Sequence, residues 1–158
     1  MTERVSIDEI LQGERTGQSV EVRGWVYRTR SSGGIAFLVL RDASGVVQCT
    51  FRKEEVGDSL FASIEEAGRE ASVVIQGTVA EDERAPGGVE VRGSAFEVVG
   101  ASSNFPIARD LSEEFLLDVR HLWVRSRRMT SIFKVRSTVF RAIHDHFREA
   151  GFYEVQPP

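Results

Sequence analysis

The 158-residue chain carries 20 Lys and Arg residues against 24 Asp and Glu, and its net charge of -4 argues against a protein that coats nucleic acid by charge alone. With 41% hydrophobic and 28% charged residues, its composition excludes a disordered chain, and no apolar run is long enough to span a membrane. Cys49 is the single cysteine, so no intrachain disulfide can form. Because the N-terminus also lacks a signal-peptide pattern, we expect a cytoplasmic protein.

The first hundred residues predict strands joined by glycine-rich turns. Residues 6–11 form a short helix that Ser6 could cap, with Glu9 three residues later as in a capping box. Alternating apolar and polar residues then predict strands, and a helical spacing of apolar residues predicts one further helix. The predicted strands are 20–27, 35–42, 46–52, 72–81 and 89–99, and the predicted helix is 58–67.

The order of these elements is three strands, a helix and two strands. It matches a five-stranded Greek-key β-barrel with a helix between its third and fourth strands, which is the oligonucleotide-binding (OB) fold. A small β-sandwich would give a similar strand count. We assign residues 1–100 to the barrel domain and residues 101–112 to a linker, because serine, asparagine and proline interrupt any periodicity there.

Residues 113–158 change to a helical pattern. Apolar residues from Ile132 to Phe147 recur at spacings of three and four, with Thr130 or Ser131 as a candidate cap and Gly151 just past the helix. Residues 152–155 then look extended. One helix and one strand cannot bury their own apolar faces, so this segment is expected to be the start of a larger domain or to need a partner.

The hairpin of the second and third strands presents a candidate RNA-binding face. Pairing across the 43–45 turn sets Val39 opposite Gln48 and Phe37 opposite Thr50, which places these side chains with Arg41 and Arg52 on the outer face, beside Arg23, Trp25 or Tyr27. An aromatic ring can stack on an unpaired base and an amide can read its edge. Taken singly, such an aromatic residue more often packs under a loop. The combination with Gln48 and the arginines favours the reading of single-stranded RNA.

Two further groups are less specific. Arg28 and Arg30, which lead into the first turn, could clasp phosphates or could be solvated loop charges. Glu90 is predicted to be exposed on an edge-like strand.

Several short motifs resemble the anticodon-binding domain of class II aspartyl- and asparaginyl-tRNA synthetases. They are Val22-Arg23-Gly24-Trp25-Val26, Arg28, Arg30, Gly33-Gly34, Phe37, Leu40-Arg41-Asp42, Gly45 and Gln48. The resemblance implies that Phe37 stacks on the central anticodon uracil and that Gln48 hydrogen-bonds it. It also implies anticodon-loop contacts for Arg30 and Glu90, with Arg28 as a further candidate.

Residues 105–107 and 114–128 are more similar to asparaginyl- than to aspartyl-tRNA synthetases, so an aspartyl enzyme, with or without discrimination between the two tRNAs, is the second hypothesis. A stand-alone single-strand-binding protein is the third. The segment from Gly151 resembles class II motif 1, which forms the homodimer interface of the family. That resemblance implies interface roles for Gly151, Phe152, Val155 and Pro158.

The resemblance also implies that the full-length enzyme uses ATP and Mg²⁺. Motifs 2 and 3, which bind ATP in the family, would lie beyond Pro158. We therefore expect this chain to hold no catalytic residue, metal or cofactor and to be inactive alone.

Overall fold

The computed structural model describes residues 2–107 and 111–156. Two compact units are present, Met1–Phe105 and Pro106–Pro158. The elements of the first unit are β1 (Glu3–Arg4), α1 (Ile7–Leu11), β2 (Ser19–Ser32), β3 (Ile35–Arg41), β4 (Val46–Arg52), α2 (Lys53–Glu66), β5 (Ser72–Glu81) and β6 (Val89–Gly100). Those of the second are α3 (Glu113–Asp118), α4 (Arg120–Trp123) and α5 (Arg127–Glu149).

The strands of the first unit form one six-stranded sheet in the order β1-β2-β3-β4-β6-β5. β1 runs parallel to β2 and β6 runs parallel to β4, while the other neighbours are antiparallel. β2 also pairs with β5, from Ser19 opposite Thr78 to Trp25 opposite Ser72. The five long strands are therefore paired in a cycle: β2 with β3, β3 with β4, β4 with β6, β6 with β5, and β5 with β2.

Alternation along these strands builds one apolar core. In β3 and β4 every second side chain is buried, as the period-2 pattern predicts. α2 adds Phe61 and Ile64 to this core. Burial of such side chains is the main favourable contribution to folding. The largest fully buried side chains are Phe51, Ile7, Ile10, Leu38, Leu40, Ile64, Ile75, Val20, Val22, Val26, Val47 and Val73.

Strand β2 is longer than its sequence pattern predicts. The register against β3 shifts between Val26 and Arg28, so the alternation breaks at Tyr27 while the pairing continues to Ser32. Gly24 allows the two strands to approach closely, because a Cβ atom there would lie 2.3 Å from the carbonyl oxygen of Arg41.

The structure differs from the predicted elements at three further places. β1 is an additional strand of two residues, too short to leave a periodic signal. α2 begins at Lys53, five residues before the predicted start, and is interrupted by Gly57 at φ 80°. Glycine adopts this angle without steric cost. The turn between β2 and β3 is only Gly33-Gly34, since Ser31 and Ser32 are still paired with β3.

The second unit is helical within its described residues. Ser126, and not Thr130 or Ser131, caps α5, its side chain accepting a hydrogen bond from the backbone N–H of Met129. Residues 152–156 are not a strand. The apolar stripe of α5 is present but its large side chains, among them Val135 and Val139, are exposed. Across residues 2–107 and 111–156, no helix has the length and apolar character needed to cross a membrane.

Candidate nucleic-acid interface

Two rows of side chains cross the outer face of the sheet over β2, β3, β4 and β6. The register sets Arg30 opposite Phe37, Phe37 opposite Thr50 and Thr50 beside Arg92. The second row is Arg28, Val39, Gln48 and Glu90. We call these eight residues the reading face. The predicted register of β3 against β4 is confirmed, and with it the diagonal placement of Phe37 and Gln48 on one face.

Arg30 lies over Phe37. Its guanidinium carbon is 4.4 Å from the centre of the phenyl ring, which is a cation–π contact. Arg28 and Arg30 both belong to strand β2 rather than to a loop, so the interpretation of these two arginines as loop charges is wrong. Because the guanidinium covers one face of the ring, a base can stack on Phe37 only at the other face or after Arg30 has moved aside.

Gln48 and Glu90 are joined by a hydrogen bond. Gln48 Nε2 donates to Glu90 Oε2 at 3.3 Å, and Arg92 Nε donates to the other carboxylate oxygen at 3.4 Å. The prediction that Glu90 is exposed on an edge strand is wrong, because its exposed fraction is 6% and β6 is paired on both sides. A buried carboxylate is stable only where donors satisfy it, and these two side chains do so.

The neighbours of Phe37 differ from those expected. Trp25 lies opposite Arg41 and not beside Phe37, since the bulge at Tyr27 advances the register and brings Arg28 and Arg30 alongside the aromatic ring. Arg92 was missed by sequence reasoning altogether. Its place beside Thr50 depends on the parallel pairing of β6 with β4, which joins residues that are 42 positions apart in the sequence.

At the other end of the β3–β4 hairpin the polar groups are held by the protein itself. Arg41 makes a forked ion pair with Glu70, at 2.8 Å from Nη1 to Oε1 and 2.7 Å from Nη2 to Oε2. The side chains of Arg41 and Glu70 are only 12% and 7% exposed. A bidentate ion pair of this kind holds the two side chains in a defined orientation, in addition to the attraction between their charges. Arg41 therefore serves the fold.

Asp42 ties the β3–β4 turn to helix α1. One carboxylate oxygen accepts from the backbone N–H groups of Ser44 and Gly45, at 2.7 and 2.9 Å, and the other accepts from the N–H of Ile7 at 3.0 Å. An acidic side chain at the first turn of a helix satisfies its unpaired N–H groups. We call Arg41, Asp42, Ser44 and Gly45 the turn end of the hairpin.

Other chemistry is not assembled in the described residues. Cys49 lies in the core, where burial first and the nearby charge of Glu90 second raise the pKa of its thiol, so it stays protonated and inert. Among residues 2–107 and 111–156, no three His, Cys, Asp or Glu side chains are grouped to hold a metal ion.

The first unit also has an open groove of about 690 Å³. It is lined by apolar side chains that include Trp25, Val73 and Val99, with Arg4 and Arg23 also on its wall. Arg23 is paired with Glu21 at 2.6 Å. The groove therefore offers apolar surface, whereas the reading face combines a ring, an amide and several arginines.

In the second unit, Gly151, Phe152 and Val155 follow α5. Phe152 and Val155 are 63% and 80% exposed, and the Phe152 ring meets the Phe147 ring edge to face at 5.5 Å. Pro158, the fourth predicted interface residue, lies outside the described residues.

Comparison with known proteins agrees with this geometry. The family model described as the OB-fold nucleic acid binding domain matches residues 20–99. The chain belongs to this family. A second model, of class II tRNA synthetases for aspartate, lysine and asparagine, matches residues 112–158, so the OB-fold domain is followed by the start of a class II synthetase domain. The predicted position of the helix between the third and fourth long strands of the OB-fold domain is confirmed.

Curated relatives of this OB-fold protein include asparagine–tRNA ligases. The asparagine–tRNA ligase of Thermoplasma acidophilum is 49% identical over 154 residues, which are 98% of this chain and 36% of that protein. The ligase of Thermococcus kodakarensis is 44% identical over 92% of this chain and 33% of its own length. The predicted resemblance to asparaginyl-tRNA synthetases is confirmed. The chain spans about a third of the length of these relatives.

Solved structures give the same grouping. A crystal structure of asparaginyl-tRNA synthetase from Pyrococcus horikoshii, complexed with asparaginyl-adenylate, superposes with a TM-score of 0.91 at 40% identity over 100% of this chain and 37% of that chain. A putative aspartyl-tRNA synthetase from Leishmania major has a TM-score of 0.88 at 22% identity, over 99% of this chain and 34% of its own. That second likeness is one of fold.

Proposed function

We propose that this chain recognises the tRNA anticodon for an asparagine–tRNA ligase, by stacking a central uracil on Phe37 and hydrogen-bonding its edge with Gln48. The observation that carries the proposal is the reading face itself, with a partly buried ring and an amide on diagonal positions of one sheet face and arginines around them. Unpaired bases are recognised by stacking and by hydrogen bonds to their Watson–Crick edges. The cyclic strand pairing supports a closed five-stranded barrel as the platform.

The arginines have a separate part in the proposal. Arg28, Arg30 and Arg92 are exposed on the reading face, where they can meet the phosphates on either side of the base. Phosphate contacts position the RNA without reading its sequence. These contacts also attract RNA to a chain whose net charge is negative, because the RNA meets the positive charge of this surface rather than the net charge of the whole chain.

We further propose that this chain is part of a larger protein, an asparagine–tRNA ligase. Its full-length form would join asparagine to its tRNA with ATP and Mg²⁺ in the cytoplasm, and would form a homodimer through Gly151, Phe152, Val155 and Pro158. The match of residues 112–158 to class II synthetases and the exposed apolar stripe of α5 support it. A stripe of this kind is normally covered by a partner surface.

The test is the affinity of the chain for an RNA hairpin that carries an anticodon loop, at one fixed salt concentration. Replacing the central uracil by each other base should weaken binding to the wild-type chain about tenfold or more, which is the usual discrimination of an amide–base pair. Phe37→Ala should bind all hairpins more weakly and should distinguish the central bases less. Equal affinity of the wild type for every central base would contradict the proposal.

A further inference from the structure

We infer that Glu90 determines which pyrimidine the reading face accepts, by fixing the orientation of the Gln48 side-chain amide. Glu90 would thus be a positioning residue that acts through Gln48. Its role rests on the proposed reading of a central base, and goes beyond it by assigning the choice between uracil and cytosine to a residue that need not touch the base.

The first step is the polarity of the hydrogen bond. A side-chain amide carries a donor and an acceptor that are nearly equal in shape, so a glutamine can present either one to a ligand. An ionised carboxylate only accepts. The contact of 3.3 Å between Gln48 and Glu90 Oε2 therefore requires the nitrogen of the amide to face Glu90.

The second step is the rigidity of Glu90. Its exposed fraction is 6%, and its backbone lies between β4 and β5, with Gln48 and Ala80 as its register partners. Arg92 Nε donates to its other oxygen at 3.4 Å. Because this carboxylate is held on both oxygens and shielded from water, a flipped Gln48 would set two oxygen atoms against each other with no solvent to relieve them.

The third step is the match to a base. With one N–H of Gln48 given to Glu90, the second N–H and the carbonyl oxygen meet the ligand as an adjacent donor and acceptor. Uracil offers N3–H and a carbonyl oxygen, which complement this pair. Cytosine offers an acceptor at N3 and an amino donor at N4. To pair with these groups of cytosine, the amide would have to exchange its nitrogen and its oxygen, which its hydrogen bond to Glu90 opposes. An amide held by Glu90 therefore selects uracil.

The test compares two hairpins that differ only in a central uracil or cytosine, with binding measured for each variant of the chain. We expect the wild type to prefer uracil by about tenfold or more. Glu90→Gln keeps the shape but can accept or donate, so Gln48 is free to flip and the preference should fall by at least about fivefold. Glu90→Asp keeps the charge but is one methylene shorter, and should lower the preference as well, which covers the case in which the first variant does not fold.

A double-variant cycle decides whether Glu90 acts through Gln48. In a Gln48→Ala background, Glu90→Gln should leave the ratio of the two affinities unchanged. Arg28→Gln is the matched control, because it removes an exposed arginine of the reading face that Val39 and Gln48 separate from Glu90 in the second row. It should weaken the binding of both hairpins alike without changing the ratio of the two affinities.

The outcomes separate the two proposals. If the wild type binds both hairpins equally, the proposed reading of uracil fails. If the wild type prefers uracil and both Glu90 variants keep that preference in full, or lower both affinities by one factor, the positioning role of Glu90 is overturned while the proposed function stands.

Discussion

The two ends of the β3–β4 hairpin are built from the same kinds of residue but are used differently. At the turn end, Arg41 is held by Glu70 and Asp42 accepts from the backbone of its own turn and of α1. At the end that carries the reading face, the exposed guanidinium of Arg30 lies over the ring of Phe37. A polar residue on the outer face of a strand therefore indicates binding only when its contacts within the protein leave hydrogen-bonding groups for a ligand, as in Gln48, which gives one N–H to Glu90. Substitutions at four positions test this difference, and they are ordered by the expected size of the effect.

The largest effect is expected at Glu70, within the ion pair of the turn end. Glu70→Ala leaves the buried guanidinium of Arg41 without its carboxylate, which should lower the free energy of unfolding by about 3 kcal/mol. Glu70 has φ 68°, so Glu70→Gly removes the same charge but relieves the backbone, and should lose about 1–2 kcal/mol less. Denaturant unfolding of both variants measures the loss caused by breaking the ion pair and the part of it that relief of the backbone recovers. Equal losses would mean that the backbone of Glu70 is unstrained.

Gly24→Ala should destabilise the chain by about 2 kcal/mol, because its Cβ meets the carbonyl oxygen of Arg41 and the strands must separate. Thermal and denaturant unfolding measure the loss. At a temperature where the variant is still folded, its ratio of affinities for RNA hairpins with different central bases should equal that of the wild type. A changed ratio would show that the turn end takes part in reading.

Phe37→Leu should produce the opposite result. Leucine keeps apolar bulk but has no ring face, so the affinity for the uracil hairpin should fall by about 1 kcal/mol or more. The free energy of unfolding should change by less than about 1 kcal/mol, since the ring is only partly buried. Phe37→Tyr, which keeps the ring, is the control and should bind as the wild type does. If Phe37→Leu binds the uracil hairpin as tightly as the wild type does, the base does not stack on Phe37.

The smallest effect concerns pH and the cap of α1. Hydrogen bonds from Ser6 and then from Arg15 lower the pKa of Glu9 from 4.5 to about 2. A carboxyl whose pKa is lower in the folded state contributes stability that is present above pH 4.5 and is lost as the pH falls toward 2. Glu9→Gln should therefore show a shallower acid-side loss of thermal stability than the wild type over this range, with unchanged RNA binding at neutral pH. Parallel acid profiles would contradict this.

Local pattern was enough to predict much of the fold. The register of β3 against β4 followed from a short turn and strict alternation, so the outward placement of Phe37 and Gln48 was correct. What could not be predicted depends on contacts distant in sequence or on breaks in periodicity. The bulge at Tyr27 interrupts alternation, which made Arg30 look like a loop residue, and the parallel pairing of β6 with β4, which buries Glu90, has no signature in either strand.

The most direct test of base reading is an NMR titration of the chain with a hairpin that has a central uracil. We expect intermolecular NOEs from the ring protons of Phe37 to the H5 and H6 protons of that uracil, and chemical-shift changes of the Gln48 side-chain amide. If the shifts instead centre on the groove around Trp25 and Val99, and the Phe37 ring shows no contact with the base, the reading face has been wrongly assigned.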